Sequence, residues 1–303
     1  MGKVFIWDPE NDQTFTAQYG TQNASLKDNY ESFWKIPGKN FTMHEDTDGM
    51  ALSLIPQNTM KMSFPWVREN DDDPLPCEIN LKNGHLVLNY DYSALGSDVL
   101  FGVSAVLNLS LYNNARLSIN NFASAIFGKY CVTQLKDVSS IDISFVKDNA
   151  QAQLADPGSI FILEGPVSLE DSSSMRLNCF SIYYAKTISC EGNSTLSLEA
   201  LQHQAEFATF NISDSATITI VNKNESSAAF DFENKSYSPG LFNFVKKIDF
   251  DTYNPKVTFS ATIFNQIIMN KLLSLGVIKT NYNKRKITFR HEGGNRYSIG
   301  PGL

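Results

Sequence analysis

The sequence predicts an all-β protein whose body is a parallel β-helix, or β-solenoid, flanked by a β-rich N-terminal cap and a C-terminal helix and hairpin. Three observations support this class. The chain has 42% hydrophobic, 12% aromatic and 19% charged residues, a composition typical of folded proteins. Apolar and polar residues alternate over short segments, which is the period of a β-strand. A unit of two such segments recurs along the middle of the chain.

The recurring unit consists of two apolar residues at alternate positions, a five-residue spacer, and two further apolar residues at alternate positions. The fourth spacer residue is always small, which would let successive turns stack. The second spacer residue is of a type that tolerates turn dihedrals. In the six copies it is Asn113, Asp137, Asp156, Asp171, Gly192 or Asp214.

The spacing of the copies also leaves an alternative open. The mean step of about 20 residues suits one coil of a β-helix. One step, from Leu154 to Leu169, is only 15 residues, and Glu164-Gly165-Pro166 within it is typical of a hairpin turn. An antiparallel β-sandwich has the same alternation and is therefore the structural alternative.

Composition divides the chain into three regions. Residues 1–78 hold all three tryptophans and six of the eleven prolines, and are predicted to form a cap of strands and loops. Within the body, residues 79–256, Asn83-Gly84 predicts a type I′ hairpin. The remaining region, residues 257–303, is predicted to cap the body or to serve as a homo-oligomer interface.

That last region has a helix signal followed by a hairpin signal. The helix is predicted from Thr262 to Gly276, and the hairpin turns at Gly293-Gly294. The apolar helix face is predicted to consist of Ile263, Phe264, Ile267, Ile268, Leu272 and Leu275.

The net charge of −7 argues against a nucleic-acid partner, because such proteins need a positive face. The charge is uneven, since the chain from Lys271 onward carries +6 and the rest carries −13. The basic segment is predicted either to dock on the acidic body or to contact an anionic partner.

Cofactors and a membrane span are not expected. The four cysteines lie far apart and without a histidine pair, so they are predicted to be small buried hydrophobes rather than metal ligands. No apolar run has the roughly 18 residues of a membrane span. The N-terminus lacks the apolar segment of a signal peptide, which predicts a protein that stays in the cytoplasm or is exported by a leaderless route.

Candidate ligand-binding residues lie at the predicted outward positions of the two strands. The first strand contributes Ser110, Gln134, Gln153, Ser168, Ser189 and Asn211, and the second contributes Ser118, Asp142, Phe161, Arg176, Ser197 and Thr219. Gln134, Asp142, Gln153 and Arg176 are the candidates, because such side chains pair with sugar hydroxyls. Trp34 and Trp66, in Pro-rich aromatic segments, are candidates for a stacking platform.

These residues predict a non-enzymatic binding protein that recognises a glycan or a protein through a polar surface. Hydrolysis of a glycosidic bond needs two neighbouring carboxyl groups, and the predicted ladders hold only Asp142. The alternatives are a polysaccharide hydrolase or lyase, the latter with Arg176 as base, and a structural component of a phage, secretion or toxin assembly. The step from architecture to function is an analogy at the level of the fold.

Overall fold

The strands of the protein form three sheets. The computed structural model describes residues 3–26, 34, 36–54, 61–63, 75–89, 100–103, 107–120, 124–144, 160–184, 186–205, 207–223, 227–246, 254–282 and 285–302. Sheet 1 has twelve strands, in the spatial order β1 (Ile6–Trp7), β3 (Gln22–Leu26), β5 (Ala51–Leu54), β8 (His85–Asn89), β11 (Arg116–Asn120), β14 (Ser140–Ser144), β17 (Ser174–Asn178), β20 (Thr195–Ala200), β23 (Thr217–Asn222), β25 (Lys256–Ser260), β28 (Arg296–Pro301) and β27 (Ile287–Gly293).

Sheet 2 has ten strands, in the order β2 (Gln13–Phe15), β4 (Asn40–Met43), β7 (Cys77–Leu81), β10 (Leu107–Leu111), β13 (Cys131–Leu135), β16 (Val167–Leu169), β19 (Thr187–Cys190), β22 (Thr209–Ile212), β24 (Phe242–Phe244) and β26 (Ile278–Thr280). Sheet 3 has six, in the order β21 (Gln202–Gln204), β18 (Ser181–Tyr184), β15 (Ile160–Leu163), β12 (Ser124–Phe127), β9 (Leu100–Val103) and β6 (Lys61–Ser63). The described residues also include one α-helix, α1 (Gln266–Ser274), and two short 3₁₀ helices, Ala17–Tyr19 and Glu45–Thr47.

The strand pairing is parallel, apart from the antiparallel pairs β25–β28 and β27–β28. From β7 to β23 the chain enters sheets 2, 1 and 3 in constant rotation. The all-β class is therefore confirmed, and the long parallel sheets are not those of an antiparallel sandwich.

The period of two in the sequence explains which side chains form the core. In β10 the side chains of Leu107, Leu109 and Leu111 are buried, while Asn108 and Ser110 are partly exposed. Leu109 lies in register between Ile79 and Thr133 on the neighbouring strands. Full burial of a leucine side chain contributes roughly 1.5–3 kcal/mol.

The four cysteines belong to this core, as predicted. All are free and buried, and Cys77 and Cys131 lie in register on either side of Leu107. Burial raises the pKa of both the Cys131 and the Cys179 thiol to about 12, which leaves them protonated and unreactive at neutral pH.

The turns between sheet 2 and sheet 1 have the predicted dihedrals. Asn113, Asp137, Asp171 and Asp214 have φ between 51° and 58°, and Gly192 has φ of 65°. The turns also stack, because the carbonyl of one turn accepts a hydrogen bond from the next turn, as in Ser172 N to Asp137 O at 2.8 Å. Asp156 lies outside the described residues.

Aspartate carboxylates reinforce the stack. The Oδ2 atom of Asp137 accepts a hydrogen bond from the backbone N–H of Asn113 at 2.9 Å. In the same way, Oδ2 of Asp171 accepts a hydrogen bond from the backbone N–H of Asp137 at 3.1 Å. An aspartate therefore serves twice here, since it tolerates the left-handed conformation and bonds to the backbone of the preceding turn.

We expect Asp171→Ala to lower the free energy of unfolding by about 2 kcal/mol, because it removes this hydrogen bond and strains the left-handed residue. The matched variant Asp171→Gly keeps the dihedral and should lose only about half as much. Urea unfolding of both proteins measures the difference. Equal losses of unfolding free energy in the two variants would show that the left-handed dihedral at position 171 does not affect stability.

Two predicted hairpins are wrong. Gly84 has φ of 76°, as a turn requires, but β7 and β8 on either side of it lie in different sheets. The predicted hairpin at Glu164-Gly165-Pro166 is wrong for the same reason, because β15 lies in sheet 3 and β16 lies in sheet 2. These turns are corners between sheets, and the flanking strands form their backbone hydrogen bonds with strands distant in sequence.

The second strand of the third copy of the recurring unit is also wrong. The first strand of that copy, residues 152–154, lies outside the described residues, and Val167 of β16 pairs directly with Thr133 of β13. Ile160–Leu163, taken as the second strand of that copy, pairs with β12 and β18 in sheet 3. Its register is the reverse of the predicted one, since Phe161 is buried and Ile160 is 42% exposed.

The C-terminal helix is shorter than predicted. It begins at the cap Asn265, whose Oδ1 accepts from the N–H groups of Ile267 and Ile268 at 3.0 Å. It ends before Gly276, which has φ of 67° as expected. The buried face consists of Ile268, Met269 and Leu272, while the predicted core residues Ile263, Ile267 and Leu275 are exposed.

The C-terminal hairpin is confirmed, as β27 and β28 pair around Gly293-Gly294. Sheets 1 and 2 run across both predicted boundaries, since β4 pairs with β7 and β23 pairs with β25. The division of the chain into three regions stays a prediction.

Candidate functional site

A ladder of polar side chains runs along the outer face of sheet 2, one from each of its last eight strands. Each member lies in register with the next, from β7 to β26: Asn80, Ser110, Gln134, Ser168, Ser189, Asn211, Asn243 and Lys279. Five of the six predicted first-strand positions therefore lie together. The sixth, Gln153, is outside the described residues.

Hydrogen bonds connect the members of this polar ladder. The Nδ2 atom of Asn243 donates to Oδ1 of Asn211 at 2.8 Å, and Nδ2 of Asn211 donates to Oγ of Ser189 at 3.4 Å. Each amide has a second N–H and further lone pairs beyond these bonds. The row is thus ordered by its own contacts while retaining donors and acceptors for a ligand.

The candidate Gln134 belongs to a second bonded group on the same face. Its Nε2 atom donates to Oε1 of Glu170 at 3.2 Å, and Oγ of Ser168 donates to the same oxygen at 3.3 Å. Lys136 Nζ lies 3.2 Å from the other Glu170 oxygen. These contacts fix the side chain of Gln134 beside a carboxylate whose charge is compensated.

Two adjoining cavities form a groove over the last strands of sheet 2. Their volumes are about 570 Å³ and about 200 Å³, and Asn243 and Val245 line both. Ser189, Asn211 and Glu191 line the smaller cavity, at the β19 end. Leu273 and Lys279 line the larger one, at the β26 end. The groove therefore has a polar floor, an apolar wall, an acidic end and a basic end.

Lys279 extends the ladder beyond the predicted residues, and its side chain lies beside two glycines. Cβ atoms added to Gly240 and Gly276 would lie 3.8 Å from Lys279 Cδ and 3.5 Å from Lys279 Cε, respectively. Gly240 N donates to Gly276 O at 2.7 Å, which joins the two glycines. The sequence pattern could not identify Lys279, because the spacing of the copies breaks down after β22.

The predicted second ladder lies on the outer face of sheet 1. Ser118, Asp142, Arg176, Ser197 and Thr219 occupy one register position on successive strands. Phe161, predicted between Asp142 and Arg176, belongs to the core instead, so the two charged candidates are direct neighbours in register. Both are exposed.

Charges of alternating sign continue from Arg176 across the sheet. Its Nη2 lies 3.7 Å from Oε1 of Glu199, which also accepts from Oγ of Ser197 at 3.3 Å. Burial lowers the pKa of the nearby Lys223, while Glu199 favours its charged form and Arg176 opposes it. Acidic and basic side chains thus alternate from Asp142 through Glu199 to Lys223, and Arg176 and Glu199 lie within ion-pair distance.

The sequence pattern did not predict one neighbouring pair of carboxylates, because neither residue lies on the predicted ladders. Glu170 and Glu191 each follow directly after a strand of sheet 2, and those strands, β16 and β19, are neighbours. Adjacent parallel strands lie about 4.8 Å apart. The signal was present in the sequence, since both residues occupy the first position of a spacer.

The predicted tryptophan platform does not form around Trp34. Its side chain is fully buried and its ring centroid lies 6.0 Å from that of Trp7. Trp34 is therefore part of the N-terminal core, where a large aromatic ring buries more apolar area than on the surface. Trp66 lies outside the described residues.

Comparison of the chain with protein-family models, with curated proteins and with solved structures finds no match. Within the described ranges, no three His, Cys, Asp or Glu side chains are grouped so that they could hold a metal ion. Among the described helices, none is both long enough and apolar enough to span a membrane.

Proposed function

We propose that the chain is a β-solenoid that binds an extended glycan in the groove on sheet 2 and does not turn it over. The observation that carries this proposal is the continuous amide and hydroxyl ladder beneath two adjoining cavities. The solenoid architecture is supported by the rotation of the chain through three parallel sheets and by the stacked turns between them.

The chemistry of the groove favours a hydroxyl-rich ligand. Amides such as Asn211 and Asn243 both donate and accept, and so do sugar hydroxyls. The apolar side chains of Val245 and Leu273 supply a surface for the C–H faces of a sugar ring. From Ser189 to Lys279 the ladder crosses three strand intervals, or roughly 14 Å, so it suits an oligosaccharide better than a single sugar.

We expect Asn243→Ala to weaken glycan binding about tenfold, because it removes hydrogen bonds to the ligand and releases Asn211. A glycan array identifies the ligand, and isothermal titration calorimetry then measures the dissociation constant. The matched control is Asn80→Ala, since Asn80 has the same residue type at the same register position but lies on β7, outside the groove. Equal weakening by both substitutions, or no glycan ligand on the array, would contradict the proposal.

Glycan hydrolysis is the second candidate function, and the neighbouring carboxylates Glu170 and Glu191 favour it. Carboxyl groups about 5–10 Å apart can act as acid and as base or nucleophile. The binding experiment distinguishes the two functions if each bound glycan is also assayed for new reducing ends. Turnover that is lost in Glu191→Gln would replace the binding proposal with a hydrolase.

A further inference from the structure

We infer that the ligand of the sheet 2 groove is an acidic glycan, whose carboxylate or sulfate group binds Lys279. This inference rests on the proposed function and adds the chemical class of the ligand. It is carried by the position and surroundings of the Lys279 ammonium group.

Lys279 is an exposed cation at the end of the groove, and it lacks a partner of opposite charge in the part of the chain that the structure describes. By contrast, Lys136 beside the same sheet is paired with Glu170 at 3.2 Å. The ammonium group of Lys279 is therefore available to an anionic group of a ligand.

The side chain of Lys279 passes two glycines, Gly240 and Gly276, which have φ of 82° and 67°. Cβ atoms added to these glycines would lie at ordinary van der Waals distance from the lysine stem, 3.8 Å from Cδ and 3.5 Å from Cε. The stem therefore lies beside this glycine pair, and the lysine lines the β26 end of the groove.

The groove is polarised along its length. Glu191 lines the smaller cavity and Lys279 lines the larger one, with the uncharged Asn211 and Asn243 between them. Lys279 attracts an acidic group to the β26 end, where none of the described lining residues is acidic. This charge distribution predicts both the preference for an acidic ligand and its orientation.

The test uses glycans in matched acidic and neutral forms, such as hexagalacturonate and its methyl ester, and sulfated and desulfated oligosaccharides. Calorimetry at low salt measures each dissociation constant for the wild-type protein and for Lys279→Gln. We expect the wild type to prefer the acidic form about fivefold, as an exposed ion pair would produce. Lys279→Gln should lose the preference, and added salt should reduce it.

Two further variants separate charge at this site from total charge. Lys279→Arg keeps the cation and should retain the preference for the acidic form. Lys186→Gln removes an exposed lysine that does not line the groove, and it should also retain the preference.

The outcomes distinguish this inference from the proposed function. If the wild type binds acidic and neutral forms equally, or if Lys279→Gln keeps the preference, the acidic-ligand inference is overturned while glycan binding stands. If no glycan binds in either form, the proposed function itself is overturned.

Discussion

Gly165→Ala is expected to destabilise the protein by about 3 kcal/mol or more, or to prevent soluble expression. Gly165 lies at the corner between β15 and β16, which packs against the corner between β12 and β13. A Cβ atom at position 165 would overlap the carbonyl oxygen of Cys131 and lie 2.9 Å from that of Gly128. These are backbone atoms, so a side-chain rotation cannot relieve the overlap.

The surrounding hydrogen bonds hold the two corners together. Glu164 N and Gly165 N both donate to Phe127 O, at 2.8 and 3.3 Å, and Cys131 N donates to Gly128 O at 2.9 Å. Relief of the overlap would therefore break bonds between two neighbouring corners. Urea unfolding and the yield of soluble protein measure the effect.

The matched control is Gly294→Ala. Gly294 has φ of 59°, but a Cβ atom there would meet nothing within 4 Å, so only the strain of an alanine at positive φ, about 1 kcal/mol, is expected. Equal destabilisation by the two substitutions would show that the corners can separate without cost.

The buried His203 is expected to make the protein less stable as the pH falls from about 6.5 to about 4. Its Nε2 lies 3.0 Å from Val221 O, which can only accept, so Nε2 carries the proton. Its Nδ1 lies 2.8 Å from the hydroxyl of Tyr184 and accepts from it. Both ring nitrogens are satisfied in the neutral form, and the side chain is 7% exposed.

Burial lowers the pKa of His203 to about 4, from 6.5 in the unfolded chain, against the smaller opposing effect of its hydrogen bonds to backbone groups. Between these two values the unfolded chain binds a proton that the folded protein does not. The stabilising contribution is therefore complete above the unfolded pKa and is lost as the pH falls toward the folded pKa. The total loss is about 3 kcal/mol.

Urea unfolding of the wild type and of His203→Gln over this pH range tests the prediction. The variant starts from a lower stability, because Tyr184 loses its partner, but it should show a pH dependence that is smaller by about 3 kcal/mol. Parallel curves for the wild type and His203→Gln would mean that another group titrates.

The features that were predicted correctly depend on local physical chemistry. The dihedrals at Asn113, Asp137 and Asp171 follow from side chains that tolerate the left-handed region. The burial of Leu109 and the exposure of Ser110 follow from the alternation of side chains along a strand. The stop of α1 at Gly276 follows from the conformational freedom of glycine.

The candidate site was predicted only in part. Gln134, Asp142 and Arg176 lie on outer faces at their predicted register positions. The groove and Lys279 were missed, because residues 240, 276 and 279 meet through strand pairing and a helix end rather than through a sequence period. Trp34 was misplaced because an aromatic, Pro-rich segment has the same composition in a core as on a surface.

By itself the sequence determined the strand-rich class, the alternation of core and surface positions, and the positions of the stacked turns. These are properties of single residues and their immediate neighbours. Only the tertiary structure decided which sheet each strand joins, as the errors at Gly84, Phe161 and Gly165 show. The reason is physical: a strand has the same period of two in every sheet, and its partners are selected by backbone hydrogen bonds to strands distant in sequence.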